Sequence, residues 1–333
     1  EISACLVGSE MCIRDSANIR LWDSKPLLST NRELQQLRLY YRFPSAAVDR
    51  YPLVADAATK GSQQVLIAAR ELDTKALSKK SRSWLNTHMV FTHGYGFTVS
   101  PVNIASDDGL PLYFIKDIGS SAKVLGIDKL GISAKSVRKA LPVGQPRIYF
   151  GTMKEPYVIA PSKVMEFDYP DAGLGAINSS LTPRRGIRVF EPLERLMAAI
   201  YLGEPRLLFL SALNRDSLLL IRRQVNQQLK ALVPFLDFES QPFLVTAKVE
   251  PGDGYRRGQY QYWFLDGFTS SRSYPYSDPS SSGLRYLRNP VKAVVDAYSG
   301  RVWLYVSDPS DPILRTWQRI FPNLFRPLSS MPK

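Results

Sequence analysis

The sequence predicts an α+β protein: mixed, mainly antiparallel sheets with two long amphipathic helices packed on one face. Three observations predict it. Short apolar runs bounded by Gly or Pro fill the first half, a helical apolar period sets in after Gly186, and period-two alternation returns from Phe243. With 44% hydrophobic residues and 17 Tyr among 333, the chain can bury one large core or two moderate ones. The change of period divides it into a β-rich half, 17–181, and a helix-plus-sheet half, 182–333, which are also compatible with one continuous domain.

In chain order, Thr30 or Asn31 is placed to cap a short helix over residues 32–39, with Leu34 and Leu37 inward and Glu33 at the positive end of the dipole. Residues 64–70 are a compact apolar run of strand length, and 89–91 and 97–99 read as extended segments on either side of Gly94-Tyr95-Gly96. Residues 111–118, 147–150, 157–160 and 164–167 add short strands bounded by Gly or Pro. Val189, Phe190, Leu193, Leu196, Met197, Ile200 and Tyr201 then recur at helical spacing up to Gly203, a C-cap. A second helix is predicted from about Asp216 to Val233, with Leu218, Ile221, Val225, Leu229 and Leu232 on one stripe and Pro234 closing it.

In residues 243–249 the alternation points Phe243, Val245, Ala247 and Val249 inward, and Tyr260, Tyr262 and Phe264 share a face of the strand after the Pro251-Gly252-Asp253-Gly254 turn. The Ser-, Pro- and Tyr-rich residues 269–283 form a long loop, a candidate ligand-covering segment. Residues 293–298 and 301–306 read as a hairpin across Ser299-Gly300. Asp311 and Pro312 are an N-cap and first-turn pair starting a helix through Ile320.

Residues 1–16, EISACLVGSEMCIRDS, read as a non-native leader, translated from sequencing adapter, and are set aside. They hold both cysteines, so the rest of the chain has neither disulfides nor thiolate metal sites. They also hold Arg14 against Glu1, Glu10 and Asp15, so the formal charge of +13 becomes +15 without them. Such a field draws in anions of every kind. Its cations form short clusters, Lys79-Lys80-Ser81-Arg82, Arg184-Arg185, Arg222-Arg223 and Arg256-Arg257, which ordinarily are solvated surface. No nucleic-acid-binding signature accompanies them, so no nucleic-acid partner is expected.

Four residues are the candidates for chemistry. His88 and His93, the only histidines, are five apart, a spacing that puts them on opposite faces of a strand and off one stripe of a helix. A zinc site would need Glu166 or Asp168 brought near by folding; the ordinary alternative is a pair of histidines hydrogen-bonded in a buried polar layer. Glu166 and Asp168 project on one face of a strand and could act as acid and base or hold a divalent cation. Pairing with an arginine such as Arg147 is their ordinary role. Asp107-Asp108-Gly109 reads as a turn. Gly94-Tyr95-Gly96 lacks the third glycine and following helix of a dinucleotide loop, and the chain has no Walker A motif and no G-x-S-x-G elbow. No cofactor or metal is expected.

Trp84 to Asn103, WLNTHMVFTHGYGFTVSPVN, together with Arg147-Ile148-Tyr149-Phe150-Gly151, Glu166-Phe167-Asp168-Tyr169-Pro170, Tyr274-Pro275-Tyr276-Ser277 and Val291-Lys292-Ala293-Val294-Val295-Asp296-Ala297-Tyr298, resembles uncharacterised protein family 0182, large multi-pass bacterial membrane proteins. The likeness runs from about Asn18 to Met331. Thr152 and Pro290 depart from it, the first where an acidic residue is usual and the second where serine is favoured. The resemblance implies a fragment: spanning helices N-terminal to Ala17, then a large extracytoplasmic region of a cell-membrane protein to which these residues belong. No window after Ser16 has the ~18 uninterrupted apolar residues of a spanning helix. The family has no established catalytic residues, so two functions are expected in competition. One is a non-enzymatic envelope module engaging anionic lipid headgroups, a cell-envelope polymer or membrane protein partners; the other is an envelope hydrolase or transferase using His88, His93, Glu166 and Asp168.

Overall fold

The structure is a computed structural model, and it describes residues 20–51, 63–119, 130–133, 137, 140–171, 175–180, 185–247 and 261–332. The leader, the turn at 251–254, Tyr260 and Val249 lie outside these residues. The fold is α+β, with sheets that are almost wholly antiparallel. Strands Ala46–Tyr51, Gln63–Ala69, Phe97–Pro101, Ile115–Ile118 and Leu130–Ile132 follow one another as neighbours in one five-stranded sheet. A second sheet is built on two strands of 11 residues, Gln261–Ser271 and Tyr286–Asp296, and on Val302–Val306. Asp237–Phe238 and Phe243–Thr246 pair along the outer edge of the first of these, and Phe325–Pro327 closes the far edge in parallel.

Alternation along Gln261–Ser271 serves two cores at once. Trp263 and Leu265 enter the largest cluster, while Tyr262 and Phe264 pack with Val294, Trp303 and Tyr305 on the other face. The largest cluster joins Val65, Ile67, Val99 and Leu130 of the first sheet to Trp263, Val291, Val295 and Leu304 of the second. The phenol of Tyr51 also donates to the Thr246 carbonyl at 3.0 Å. The hairpin at Ser299-Gly300 forms as expected, with Gly300 at φ +68° and its α-carbon pressed so close to the Phe150 ring that an added Cβ would meet it at 2.5 Å.

Among the described residues, four α-helices have defined bounds: α1 (Ser24–Leu34), α2 (Pro192–Leu202), α3 (Val225–Leu232) and α4 (Pro312–Ile320). Helix α4 starts as the sequence predicts, with the Asp311 carboxylate accepting from the Leu314 N–H at 2.6 Å. Helix α2 ends at Gly203 in the left-handed region, also as predicted.

Several expectations need correction. Helix α1 lies earlier than 32–39, capped by Asp23, so Asn31 is inside it and Leu34 and Leu37 are exposed. Tertiary bonding decides this: the Asn31 side chain donates to Thr98 Oγ1 at 3.0 Å and accepts from the Tyr113 phenol. Residues 86–90 form a π-helical turn where an extended segment was predicted at 89–91. The helix predicted from Asp216 to Val233 is split: Leu218–Leu220 pairs as a strand with Val158–Ala160 and Ile187–Arg188, Arg222 takes φ +51°, and only then does α3 begin.

The helices that stand where the two long ones are predicted, α2 and α3, are therefore 11 and 8 residues long. They serve different clusters, with α3 in the main core and α2 in a smaller one around Met89, Ile159, Val189 and Leu219. Phe243–Thr246 is turned over relative to prediction, with Leu244 and Thr246 buried and Phe243 38% exposed. A period-two pattern of apolar residues on both faces leaves that choice to whichever face meets the core. The loop predicted from Thr269 begins later, because Thr269 is a buried strand residue bonded to Asp311.

Candidate functional site

His93 immediately precedes the short strand Gly94–Tyr95, which pairs with Arg147–Ile148 so that Tyr95 lies opposite Arg147. The strand Glu166–Asp171, buried along its whole length, brings two carboxylates to the same place. Asp168 is gripped by Arg147 through Nε at 2.7 Å and Nη2 at 2.6 Å, a bidentate pair whose carboxylate is 3% exposed. Glu166 accepts from the Tyr149 phenol at 2.7 Å and from the Thr92 hydroxyl. The His93 ring lies 5.0 Å from that of Tyr149, with Nε2 3.9 Å from Asp168 Oδ1 and Nδ1 3.0 Å from the Gly94 carbonyl.

Burial sets the protonation here. It pushes His93 down to about 4 against the opposing pull of Asp168, so the ring is neutral near pH 7 and Nδ1–H donates to Gly94. It also pushes the Tyr149 phenol well up, so Tyr149 keeps the proton it gives to Glu166. Three of the four sequence candidates thus converge: His93, Glu166 and Asp168. His88 does not join them. It donates from Nδ1 to the Tyr157 carbonyl at 2.6 Å and stacks on that ring at 4.1 Å, its pKa lowered by burial.

Around this cluster lie buried charges that sequence reading missed. Arg223, taken with Arg222 as surface, is buried and gives its guanidinium to the carbonyls of Tyr149 at 2.8 Å, Pro156 at 3.0 Å and Thr92. Arg70 is likewise buried, donating to the Gln35 and Tyr95 carbonyls. Glu71 receives the N–H groups of Thr152 and Met153 and the Thr152 hydroxyl, and burial raises its pKa. Gly151 permits that approach, since a Cβ there would lie 2.3 Å from a Glu71 oxygen. The void beside Glu71, Tyr149 and Arg223 is only about 10 Å³, room for one water at most. Chemically, the arrangement fixes backbone and side chains, and the void bordered by Glu71, Tyr149 and Arg223 is too small for a substrate. Among the described residues, no group of three or more His, Cys, Asp or Glu side chains could hold a metal ion.

Open, charged concavities lie elsewhere among the described residues. A groove of about 560 Å³ runs between the strand Val302–Val306 and the segment leading into α3. Arg185, Arg222, Arg301 and Arg326 line it with Gln228, Trp303 and Asn323, and no carboxylate is among the described residues that line it. The Arg301 guanidinium lies over the Trp303 ring at 5.1 Å, and Arg222 reaches the Tyr201 phenol at 3.2 Å. Arg222 holds its place with a left-handed backbone, a strained conformation for a residue with a Cβ. A second groove, about 610 Å³ near the end of α1, mixes Arg32 and Arg38 with Glu33. The four arginines come from four separate segments; doublets such as Arg184-Arg185 and Arg222-Arg223 were the only trace of them in the sequence.

The model of the uncharacterised protein family UPF0182 matches residues 13–333. The chain belongs to this family. UPF0182 proteins of Prochlorococcus marinus (strain MIT 9313) and Synechococcus sp. (strain CC9311) are 55% and 53% identical to it over 95% and 96% of its length. One from Synechococcus elongatus is 44% identical over 94%. These alignments cover 33–35% of the UPF0182 relatives, so the chain spans about a third of their length. No solved structure matches the chain. Among the described residues, no helix is long and apolar enough to cross a membrane.

Proposed function

We propose that this chain is an extracytoplasmic, non-enzymatic binding region of a multi-pass bacterial cell-membrane protein, and that it engages an anionic component of the envelope. The observation that carries this reading is the groove lined by Arg185, Arg222, Arg301 and Arg326, without a carboxylate among its described lining residues. Planar guanidinium forks match phosphate and carboxylate oxygens two at a time, and a concave wall keeps water from screening them. The overall formal charge of +13 steers anions toward it. The relatives' roughly threefold greater length leaves ample chain for the spanning segments.

The competing reading, a hydrolase or transferase using His88, His93, Glu166 and Asp168, asks for substrate access to side chains that are 1–3% exposed in the cases of His93, Glu166 and Asp168. It also asks His88 to act apart from the others. The binding reading needs no such rearrangement.

Calorimetric titration with inorganic pyrophosphate tests it. Binding should weaken as salt is added, and the double substitution Arg222→Ala/Arg301→Ala should weaken it about tenfold or more. Absence of binding, or binding indifferent to both salt and the substitutions, rejects the groove. Repeating the titration with glycerol phosphate polymer and with anionic vesicles tells a polymer from a lipid headgroup.

A further inference from the structure

Helix α2 is amphipathic in the wrong direction for a helix whose apolar side belongs in a core. Leu193, Leu196, Met197, Ile200 and Tyr201 recur at intervals of three and four, the spacing of a single stripe. That stripe faces out: the five are 67%, 44%, 63%, 73% and 60% exposed, while the residues that α2 buries are the small Ala198 and Ala199. The turn Pro205–Phe209, packed against the helix, carries Phe209 outward at 87% exposure. Single exposed leucines are ordinary on any protein, but six large apolar side chains on one helix and its adjoining turn are not.

We infer that α2 and Phe209 form a membrane-docking face that lies in the headgroup region of an anionic bilayer. The inference builds on the anion-binding reading of the neighbouring groove and names the partner as a lipid surface. Charge complementarity selects the bilayer. Between Arg185 and Arg222 there are six arginines against four carboxylates, and two of those carboxylates are turned to the protein's own groups. Glu194 accepts the N–H groups of Phe190 and Glu191, Glu204 accepts from the Trp84 indole and pairs with Arg206 at 3.6 Å, and one of the arginines, Arg195, is likewise turned to the carbonyls of Phe190 and Leu210.

The cations border the stripe. Arg206 stands 67% exposed in the same turn as Phe209, and Arg222 bonds the phenol of Tyr201 at the stripe's end. Exposed Ile187 and Arg188 sit on the strand that pairs with Leu218–Leu220, just before Arg222. Apolar bodies with basic groups at their margin are the pattern of a helix lying in the plane of the interface, where tyrosine and arginine keep their polar ends at the headgroups. Through Arg222 the stripe adjoins the arginine groove, so one lipid surface can meet both.

Co-sedimentation of the 333-residue chain with extruded vesicles tests this. Vesicles of phosphatidylcholine containing about a third phosphatidylglycerol should bind it, and pure phosphatidylcholine should bind it far less. The triple substitution Met197→Ser/Ile200→Ser/Phe209→Ser removes only exposed side chains and should lower partition about tenfold or more with the circular dichroism spectrum unchanged. A second measurement uses Ile200→Cys in a Cys5→Ser/Cys12→Ser background, whose single thiol carries an environment-sensitive fluorophore. Its emission should shift to the blue on adding the anionic vesicles.

Vesicle binding unchanged by the triple substitution, or a fluorophore that stays in water, overturns the docking face. A sedimentation-velocity dimer that the triple substitution dissociates, with no vesicle binding, overturns it in favour of a second copy. If pyrophosphate binding fails while stripe-dependent vesicle binding persists, the groove reading falls and the docking face stands. If vesicle binding is abolished by Arg222→Ala/Arg301→Ala and untouched by the triple substitution, the groove stands and the docking face falls.

Discussion

The seam around His93 and the lobe around α2 use the same kinds of residue in opposite ways. In the seam, Arg223, Asp168 and Glu71 are taken out of water, Arg147 very nearly so, and all four are committed to fixed protein partners. In the lobe, Arg185, Arg188, Arg206 and Arg222 and the large apolar side chains of α2 alike are left exposed. Desolvated charge is costly unless it is fully matched, so the seam's charges are bound up in holding strands and crossings together. Solvated charge beside exposed apolar surface costs the fold little and remains available to a partner. On the proposed reading, the titratable residues that look most like catalysts hold the fold together, and the ordinary-looking arginines and leucines meet the partner.

Substitutions in the two regions should differ in the same way. The largest effect belongs to Asp168→Ala, which strands the Arg147 guanidinium, itself only 15% exposed; it should destabilise the protein by about 3–5 kcal/mol in chemical denaturation. A loss below about 1 kcal/mol would mean that water reaches the pair and that the seam is more open than its geometry says.

The pH dependence of His93 comes next. Folded His93 sits at about 4, below the ordinary 6.5. Between those values the unfolded chain takes up a proton that the folded chain refuses, so stability falls as pH falls through that window. The contribution reaches at most about 3 kcal/mol and vanishes above about pH 7. Glu71 and Glu155, whose pKa values burial raises, act in the opposite sense, because the folded state holds their protons longer. Comparing denaturation of the wild type with His93→Asn from pH 7 to pH 4.5 cancels them, and the wild type should lose more stability on acidification. Equal slopes would show His93 to be protonated in the folded protein.

The smallest effect belongs to the lobe. Ile200→Ser should change stability by no more than about 0.5 kcal/mol, since the side chain is already in water. A loss of several kcal/mol would place Ile200 in a core and remove the contrast between the two regions.

Much of the fold is legible in the residues. The hairpin at Ser299-Gly300, the caps at Asp311 and Gly203 and the run at 64–70 depend on neighbours in sequence, and local chemistry of that kind acts before any tertiary contact. The family, too, is written in long motifs, and the pairing of Asp168 with an arginine such as Arg147 follows from the ordinary fate of a buried carboxylate.

Tertiary structure alone decides which face of a pattern meets the core. Leu193 to Tyr201 carry the same period whether the stripe is buried or bare, and residues 243–246 offer apolar side chains to both sides. It also decides which of two adjacent arginines, Arg222 or Arg223, is buried, because three backbone carbonyls from distant segments converge on only one of them. Periodicity fixes which residues share a face; only the assembled packing determines what that face meets, since burial is a property of the whole chain's surface and not of any one stretch.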